Sequence, residues 1–529
     1  MGKGLEKGKG GDKASKNKFG IPYFLLDKRF IAFALFIIAI LIRILYKNAG
    51  VYHWDSLCDI YAVERMFNQG SLQYSYAYGA PGMVVLVFAV FYLHHLITGA
   101  MSAEFAYFFV TFVTAALCVS LIYLITEKFT KNNFVSISAA LFFNFTPIFL
   151  SVTTYPKTHS IALFFALLSI YLMALFNEES KKRNKMLLLA LSGFCLGYSV
   201  TIRIFSVLFA LPLLLIYLNP EIRGFSFKIK KHLFSIKNAL VFGIPAAAIW
   251  VLLFYKMIIE TGGVGAYIKN IFSEQASAVG WQGFLSKSLV PSLMGIEKTM
   301  TILGVLLFVI GFIYGFKKYP LFSLMLALWL IPNFIYFANI AYPQLRFFIE
   351  FLPAIMIFMA IGSEPIYNKN KIIAVIVVAV VIGCMFYTAY PFISYRHNYS
   401  GTKETALWIA SVTEPNAVIM SNDFGWFIEY YGKRNVTVHP RTGNDKEIAE
   451  FIEKLKRLYA NGIPIYSTAE GFAIDPGLKV QKAILENFDV YEVGEHLNEI
   501  YQYSELEFRK YNEKLFRLVP KKEQANVTA

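Results

Sequence analysis

Long apolar runs alternate with short polar stretches over the first 390 residues of the chain. Runs such as Phe30–Ile42, Leu240–Tyr255 and Ile372–Met385 approach the length that a helix needs to cross a bilayer. The pattern predicts eleven membrane-spanning helices, at about 29–46, 104–126, 134–152, 160–177, 186–200, 201–218, 237–257, 298–315, 321–338, 346–362 and 371–390. We therefore expect a mainly α-helical, polytopic membrane protein.

The Lys and Arg residues between the runs predict the orientation, because cytoplasmic loops carry an excess of them. The basic loops are Glu127–Asn133, Asn177–Lys185, Asn219–Asn238, Gly315–Tyr319 and Glu364–Lys371. All five are cytoplasmic, like the basic N-terminal tail 1–28, if the run Pro81–Leu96 does not cross. We therefore predict that Pro81–Leu96 and the preceding segment Asp55–Asn68 are helices at the outer membrane surface.

This topology gives a cytoplasmic N-terminus, with a disordered tail and an uncleaved first span that acts as a signal anchor. It places a large first loop, about 47–103, outside the membrane. The other outer segments are the loops Thr153–Ser160, Glu260–Glu297 and Ala338–Leu345 and the turn Thr201–Arg203.

After the membrane domain 29–390, the composition changes to that of a soluble domain, 391–529, which we place on the extracytoplasmic side. Short β-like runs are Ala417–Met420, Val436–His439, Pro464–Ser467 and Val490–Val493. Helical patterns lie between them at Thr402–Ser411, Lys446–Tyr459 and Val480–Glu486. Alternating strands and helices predict a small α/β domain, and no glycine-rich phosphate loop follows its strands.

Composition agrees with the membrane assignment, since 57% of the residues are hydrophobic and the mean hydropathy is +0.51. The net charge of +15 would suit a nucleic-acid partner, but the basic residues lie in the short loops, so we expect membrane lipids and no nucleic acid. The four cysteines have neither disulfide nor metal-site spacing.

The first outer loop carries a cluster of acids just outside the first span. Asp55 and Asp59 are four residues apart, on one helix face, with His53 before them and Glu64 after them. Such a cluster can accept a proton or bind a metal. Alternatively, the acids face water, and Asp55 caps the following helix.

Several cations are predicted to lie at the same outer side. Arg203 interrupts the apolar stretch Ser199–Leu218, Arg346 opens the tenth span, and Lys157 and His159 lie in the second outer loop. Charges at membrane depth usually face a cavity or a partner. The alternatives are an i,i+4 ion pair between Arg346 and Glu350, and extension of Lys157 and Arg203 to lipid headgroups.

These features together resemble the GT-C membrane glycosyltransferases, especially the branch with the protein O-mannosyltransferases and the lipid A aminoarabinose transferase. The resemblance covers roughly residues 30–362. Its motifs are Asp55, Gly70, Tyr74–Tyr78, Pro81-Gly82, Pro147, the stretch from Gly193 to Arg203, and the stretch from Arg346 to Pro353.

The resemblance implies an inverting transfer from a polyprenyl-phosphate sugar to a protein, lipid or glycan hydroxyl, on the extracytoplasmic side. It implies that Asp55 is the catalytic base and that Arg203 and Arg346 lie near the donor phosphate. The remaining substrate-binding candidates are Lys157, His159, Asp59, Glu64 and Tyr78.

The chain departs from the family pattern at two positions. Ser56 follows Asp55 where many members have Glu, and His159 stands where the second outer loop usually offers an acid. Both departures argue against a metal held by paired acids. We therefore predict no metal ligands and no certain cofactor, although a divalent cation stays open.

Two other function classes fit parts of the pattern. A transporter or lipid flippase would also have many spans and buried charges, but it predicts inverted repeats and a smaller first outer loop. A membrane scaffold would use the C-terminal domain to bind a partner. In that domain Asp423, Trp426 and Tyr430–Tyr431 are candidates either for glycan contact or for core packing.

Overall fold

The structure is a computed structural model. It describes residues 27–75, 80–223, 226–228, 235–270, 289–340, 344–440, 443–472, 475–499, 506 and 510–521. Most of the predicted tail 1–28 and the central part of the predicted outer loop Glu260–Glu297 therefore lie outside the described residues.

The membrane domain is built of helices, with a small hairpin of strands β1 (Glu221–Arg223) and β2 (Ser226–Lys228) in one basic loop. The first ten helices are α1 Lys28–Leu45, α2 Trp54–Gln69, α3 Pro81–Thr98, α4 Ala103–Thr130, α5 Asn133–Phe145, α6 Pro147–Val152, α7 Thr158–Glu178, α8 Lys182–Ile202, α9 Ala210–Leu218 and α10 Ile236–Glu260. The others are α11 Leu289–Met300, α12 Ile302–Lys318, α13 Pro320–Ala338, α14 Leu352–Lys369 and α15 Lys371–Asn398.

Each of the eleven predicted spans coincides with one of these helices or with a pair of them. The third span is split into α5 and α6 at Pro147, which cannot continue the hydrogen-bond pattern of α5. The sixth and tenth spans begin with 3-10 segments, Ile204–Phe209 and Leu345–Glu350.

Among the described residues, seven helices are long and apolar enough to cross a membrane, or eight if the bent pair Leu293–Met300 and Ile302–Lys318 forms one span. α1 is not among the seven, and its 18 residues include three basic side chains. α3 is among them by length and composition. Its placement at the outer surface and the orientation of the termini stay predictions.

Burial inside the protein separates the central helices from the peripheral ones. In the apolar window of α4 78% of the residues are buried, against 17% in α10, so α4 lies in the core and α10 presents most of its surface to the surroundings. α8 and α10 approach closely at a Gly-xxx-Gly pair, because a Cβ at Gly193 would lie 2.0 Å from the carbonyl oxygen of Phe242.

The C-terminal domain is α/β, as predicted. Its helices are α16 Gly401–Val412, α17 Gly425–Tyr430, α18 Asp445–Ala460 and α19 Lys479–Asn487. Its strands are β3 Val418–Met420, β4 Asn435–Thr437, β5 Ile465–Thr468, β6 Phe488–Glu499 and β7 Lys510–Pro520. They form one sheet in the order β4-β3-β5-β7-β6. β3 is parallel to β4 and β5, whereas β7 is antiparallel to β5 and β6. The sequence patterns missed β7 and α17.

The C-terminal domain packs on the segment 47–103, the predicted first outer loop. The ring of Tyr61 in α2 contacts Trp426 and Tyr430 at centroid distances of 5.9 and 5.7 Å. The Tyr431 hydroxyl accepts a hydrogen bond from the backbone N–H of Val51. Trp426, Tyr430 and Tyr431 are therefore packed at the contact between the two domains, rather than displayed on a surface for glycan contact.

Candidate active site at the outer loops

Helix α2 presents Asp55 in its first turn. His53 is the N-cap, and its Nδ1 accepts a hydrogen bond from the backbone N–H of Asp55. The alternative that Asp55 itself caps the helix is therefore wrong, because the cap lies two residues earlier. At the other end, Gly70 closes α2 with a φ of 62°, a left-handed conformation that glycine adopts without strain. The motif residues Asp55 and Gly70 thus bracket one helix.

Asp55 forms an ion pair with Lys157 of the second outer loop. The Lys157 Nζ donates to Asp55 Oδ2 at 2.7 Å, with side chains 4% and 27% exposed. Burial by itself would raise the pKa of Asp55, but His53, Lys157 and Arg346 hold it well below its usual range. Asp55 is therefore an ionised carboxylate that a small molecule can reach. Because Lys157 is buried in this pair, it does not extend to lipid headgroups.

Asp59 lies one turn further along α2 in a more apolar setting. Its side chain is buried, and its Oδ2 accepts a hydrogen bond of 2.8 Å from the Tyr107 hydroxyl of α4. Burial raises the pKa of Asp59 to about 7, against that hydrogen bond. The two acids on one helix face thus have opposite pKa shifts.

Glu64 does not join this cluster. Burial raises its pKa, and the charged groups that it faces are Lys433 of the C-terminal domain and Glu104 of α4. Its surroundings place it at the interface between the two domains. Tyr78 lies outside the described residues.

Arg203 is the C-cap of α8 and pairs with Glu350. Its Nε donates to Glu350 Oε1 at 2.7 Å, and its Nη1 lies 3.5 Å from His159 Nε2. The i,i+4 pairing of Arg346 with Glu350 is not what the structure shows. Since Leu345–Glu350 is a 3-10 helix with three residues per turn, positions 346 and 350 do not lie one above the other.

Arg346 and Arg203 flank one aromatic ring. The ring centroid of Phe347 lies 5.6 Å from the Arg346 guanidinium and 5.8 Å from that of Arg203. Arg346 is 6% exposed and near enough to Asp55 to lower its pKa. One short 3-10 segment therefore supplies a cation near Asp55, a ring between two guanidinium groups, and the acid partner of Arg203.

The Pro81-Gly82 motif packs against the end of α8, next to Arg203. The Tyr198 hydroxyl in α8 donates to the carbonyl oxygen of Gly82 at 2.7 Å. A Cβ at Gly82 would lie 2.2 Å from Thr201 Oγ1, two residues before Arg203. Only glycine therefore lets the start of α3 pack against the last turn of α8.

The structure thus brings Asp55, Lys157, His159, Arg203 and Arg346 together, with Asp59 one turn behind. Sequence analysis did not identify Tyr107 or Phe347. Phe347 could have been suspected from its place beside Arg346, whereas nothing distinguishes Tyr107 among the 33 tyrosines.

The described residues contain no group of three or more His, Cys, Asp or Glu side chains arranged to hold a metal ion. His159 is buried, and within the described part of the chain its Nδ1 has no hydrogen-bond partner. Since the Arg203 guanidinium can only donate, Nε2 accepts and the neutral ring carries its proton on Nδ1.

Comparison with known proteins gives one family and several structures. The sequence profile of the dolichyl-phosphate-mannose-protein mannosyltransferase family matches residues 92–259, which is less than half of the chain. No curated protein sequence matches.

Solved structures match over most of the chain. The archaeal oligosaccharyltransferase AglB from Archaeoglobus fulgidus, in complex with an inhibitory peptide and a dolichol-phosphate, has a TM-score of 0.55 at 13% identity, covering 94% of this chain and 77% of that one. ArnT from Cupriavidus metallidurans, bound to undecaprenyl phosphate, has a TM-score of 0.59 at 11% identity, covering 94% and 98%. At such identities the similarity establishes the fold, and the predicted resemblance is confirmed.

Proposed function

We propose that this chain, which has the fold of the GT-C glycosyltransferases, moves a sugar from a polyprenyl-phosphate donor to a hydroxyl acceptor on the extracytoplasmic side of the membrane. The family match and the fold support a membrane glycosyltransferase. The lipid phosphates in the two similar structures support the donor class. The acceptor is a hydroxyl of a protein, lipid or glycan.

The observation that carries the proposal is the partly exposed Asp55 carboxylate among Lys157, Arg346 and Arg203. Its Oδ2 is bonded to Lys157, so Oδ1 is the oxygen that receives the acceptor proton. The acceptor oxygen forms a bond to the anomeric carbon as the bond from that carbon to the phosphate oxygen breaks. The electron pair goes to the polyprenyl phosphate, which leaves, and attack opposite the phosphate inverts the anomeric centre.

The cations stabilise the charge that develops on the leaving phosphate. The guanidinium groups of Arg346 and Arg203 are preorganised by the Phe347 ring and, for Arg203, by Glu350. Fixed charges of this kind lower the barrier, because they do not reorganise during the reaction. A phosphate is already a good leaving group, so no general acid is required.

The test is Asp55→Asn in the full-length, detergent-purified protein, with a polyprenyl-phosphate sugar and a mixed acceptor pool. We expect transfer to fall by at least about 1,000-fold, while the variant still binds polyprenyl phosphate. Asp445→Asn is the matched control, because it makes the same change in an exposed carboxylate paired with Lys479. Full activity of Asp55→Asn would refute the base assignment. Movement of the lipid across vesicles without sugar release would instead support a flippase.

A further inference from the structure

Arg396 is a buried arginine at the junction of the two domains. It lies in the last turn of α15 and is 2% exposed. Three residues later the chain leaves α15 at Tyr399, and α16 of the C-terminal domain begins at Gly401. No step proposed above uses this residue.

The contacts of Arg396 join the first outer loop to α6, the helix that ends just before the second outer loop. Its Nη1 donates to Ser151 Oγ at 2.8 Å, and its guanidinium carbon lies 3.8 Å from the ring centroid of Tyr52. Its carbonyl oxygen accepts a hydrogen bond of 2.8 Å from the backbone N–H of Ala49. Tyr52 in turn meets Tyr155 edge to face at 5.2 Å. The Arg396 side chain therefore touches the segment that carries Asp55, and it reaches the segment that carries Lys157 through Tyr52 and through the end of α6.

The two aromatic residues are close in sequence to the two members of the ion pair. Tyr52 is three residues before Asp55, and Tyr155 is two residues before Lys157. The same two segments are also bonded through the Ser56 hydroxyl, which donates to the carbonyl oxygen of Pro156. A displacement of Tyr52 or Tyr155 therefore reaches the Asp55–Lys157 pair with little chain between them to absorb it.

The second outer loop needs such support because residues 153–157 are neither helix nor strand. A desolvated cation is attracted to the face of an aromatic ring, and this attraction holds Tyr52 in one orientation. Catalytic rates respond to errors of about 1 Å by roughly 100-fold. A modest loosening of this stack therefore has a large effect on the reaction and a small one on the fold.

We propose that Arg396 is a positioning residue that sets the separation of the Asp55 carboxylate and the Lys157 ammonium. This inference rests on the proposed function. Arg396 acts through Tyr52, Tyr155 and Ser151, and it does not touch the substrates. Because it also lies in the last turn of α15, it links the position of the C-terminal domain to the geometry of the base.

The experiment is a double-mutant cycle of Arg396→Met and Lys157→Met in the full-length protein, read as kcat and donor KM. Arg396→Met should lower kcat by about 10- to 100-fold and leave the donor KM within about twofold, because Arg203 and Arg346 are untouched. Arg396→Lys, which retains the charge but not the planar stack, should be intermediate. In the double variant kcat should be no lower than in Lys157→Met alone, because Arg396 acts through that pair.

Arg434→Met is the matched control. Arg434 bonds Ala410 and Thr413 around the end of α16, away from the pair, so its effect should multiply with that of Lys157→Met. Multiplication of the Arg396 and Lys157 effects would overturn the inference. If Arg396→Met does not fold, Ser151→Ala removes one contact without unpairing a buried charge, and unchanged kcat in that variant and in Arg396→Lys counts against the proposal.

Two parallel measurements separate the two proposals. If the wild type transfers no sugar, the proposed function fails, and if Asp55→Asn retains full activity, the assignment of Asp55 as the base fails, whatever Arg396 does. If Asp55→Asn is inactive while Arg396→Met has wild-type kcat, only the positioning role fails. Thermal unfolding of the wild type, the two single variants and the double variant gives a readout that is independent of activity. The Tm loss of the double variant should be smaller than the sum of the losses in Arg396→Met and Lys157→Met, and strict additivity contradicts the proposed chain of contacts.

Discussion

Replacing Lys157 with methionine removes the positive charge that lies 2.7 Å from Asp55 Oδ2. Methionine fills a similar volume, so the change is mainly electrostatic. In the proposed mechanism Asp55 must be ionised to accept a proton, and Lys157 is one of the groups that hold its pKa well below the usual range. Without Lys157 the pKa of Asp55 rises, and the enzyme loses activity at a pH where the wild type is active.

The magnitude follows from the separation and the exposure of the pair. Two unit charges about 4 Å apart attract by about 4 kcal/mol at an effective dielectric constant near 20, which corresponds to about three pKa units. Asp55 is 27% exposed, so solvent screens part of this energy. We expect a rise of about two pKa units.

The assay is kcat/KM for transfer from a polyprenyl-phosphate sugar between pH 2 and 9, because the pKa of Asp55 lies well below its usual range. The acid limb should move upward by about two pH units in Lys157→Met and stay in place in Lys157→Arg, which retains the charge. Lys479→Met is a second control, because Lys479 also lies 2.7 Å from an acid, Asp445, but both side chains are exposed and screened. An acid limb in Lys157→Met that coincides with that of the wild type would refute the reasoning.

Three other substitutions test the supports of the site. Gly82→Ala should lower the free energy of unfolding by about 1–3 kcal/mol and reduce activity, whereas Gly243→Ala, with open space at its Cβ, should be neutral or slightly stabilising, as thermal unfolding will show. The pKa of Asp59 in the folded state is about 7, above its value in the unfolded state. The folded state therefore holds this proton more tightly, and the wild type should lose stability as the pH rises from about 4 to 7. Asp59→Asn should abolish that decline in pH-dependent unfolding, and an unchanged profile would contradict the assignment. Glu350→Ala leaves the Arg203 side chain, which is only 12% exposed, without its acid, and it should lower the free energy of unfolding by about 3 kcal/mol and weaken donor affinity. Chemical unfolding measures the change, and an unchanged stability would show that the pair is not formed.

The membrane helices were predictable because their signal is local. A spanning helix satisfies all its backbone groups within one segment, so about 20 apolar residues suffice to identify it. The predicted span 104–126 became α4 Ala103–Thr130, and 237–257 became α10 Ile236–Glu260. The helix Asp55–Asn68 was predicted within one residue at each end.

Other elements could not be predicted from local pattern. β7 was missed, since its place in the sheet depends on pairing with both β5 and β6. The segment at Arg346 was assigned to a span, and the structure shows a 3-10 turn before α14 begins at Leu352. That difference decides which side chain Glu350 meets.

The sequence by itself determined the class of the molecule, the helices of the membrane domain, the α/β character of the C-terminal domain, and the residue types of the candidate site. Tertiary structure alone decided the partners. Asp55 and Lys157 are 102 residues apart, and Arg203 and Glu350 are 147 apart. Helix formation depends on neighbours within one or two turns, whereas such ion pairs depend on how distant segments pack. That packing is why one acid faces a buried lysine while Glu64, on the same helix, faces the other domain.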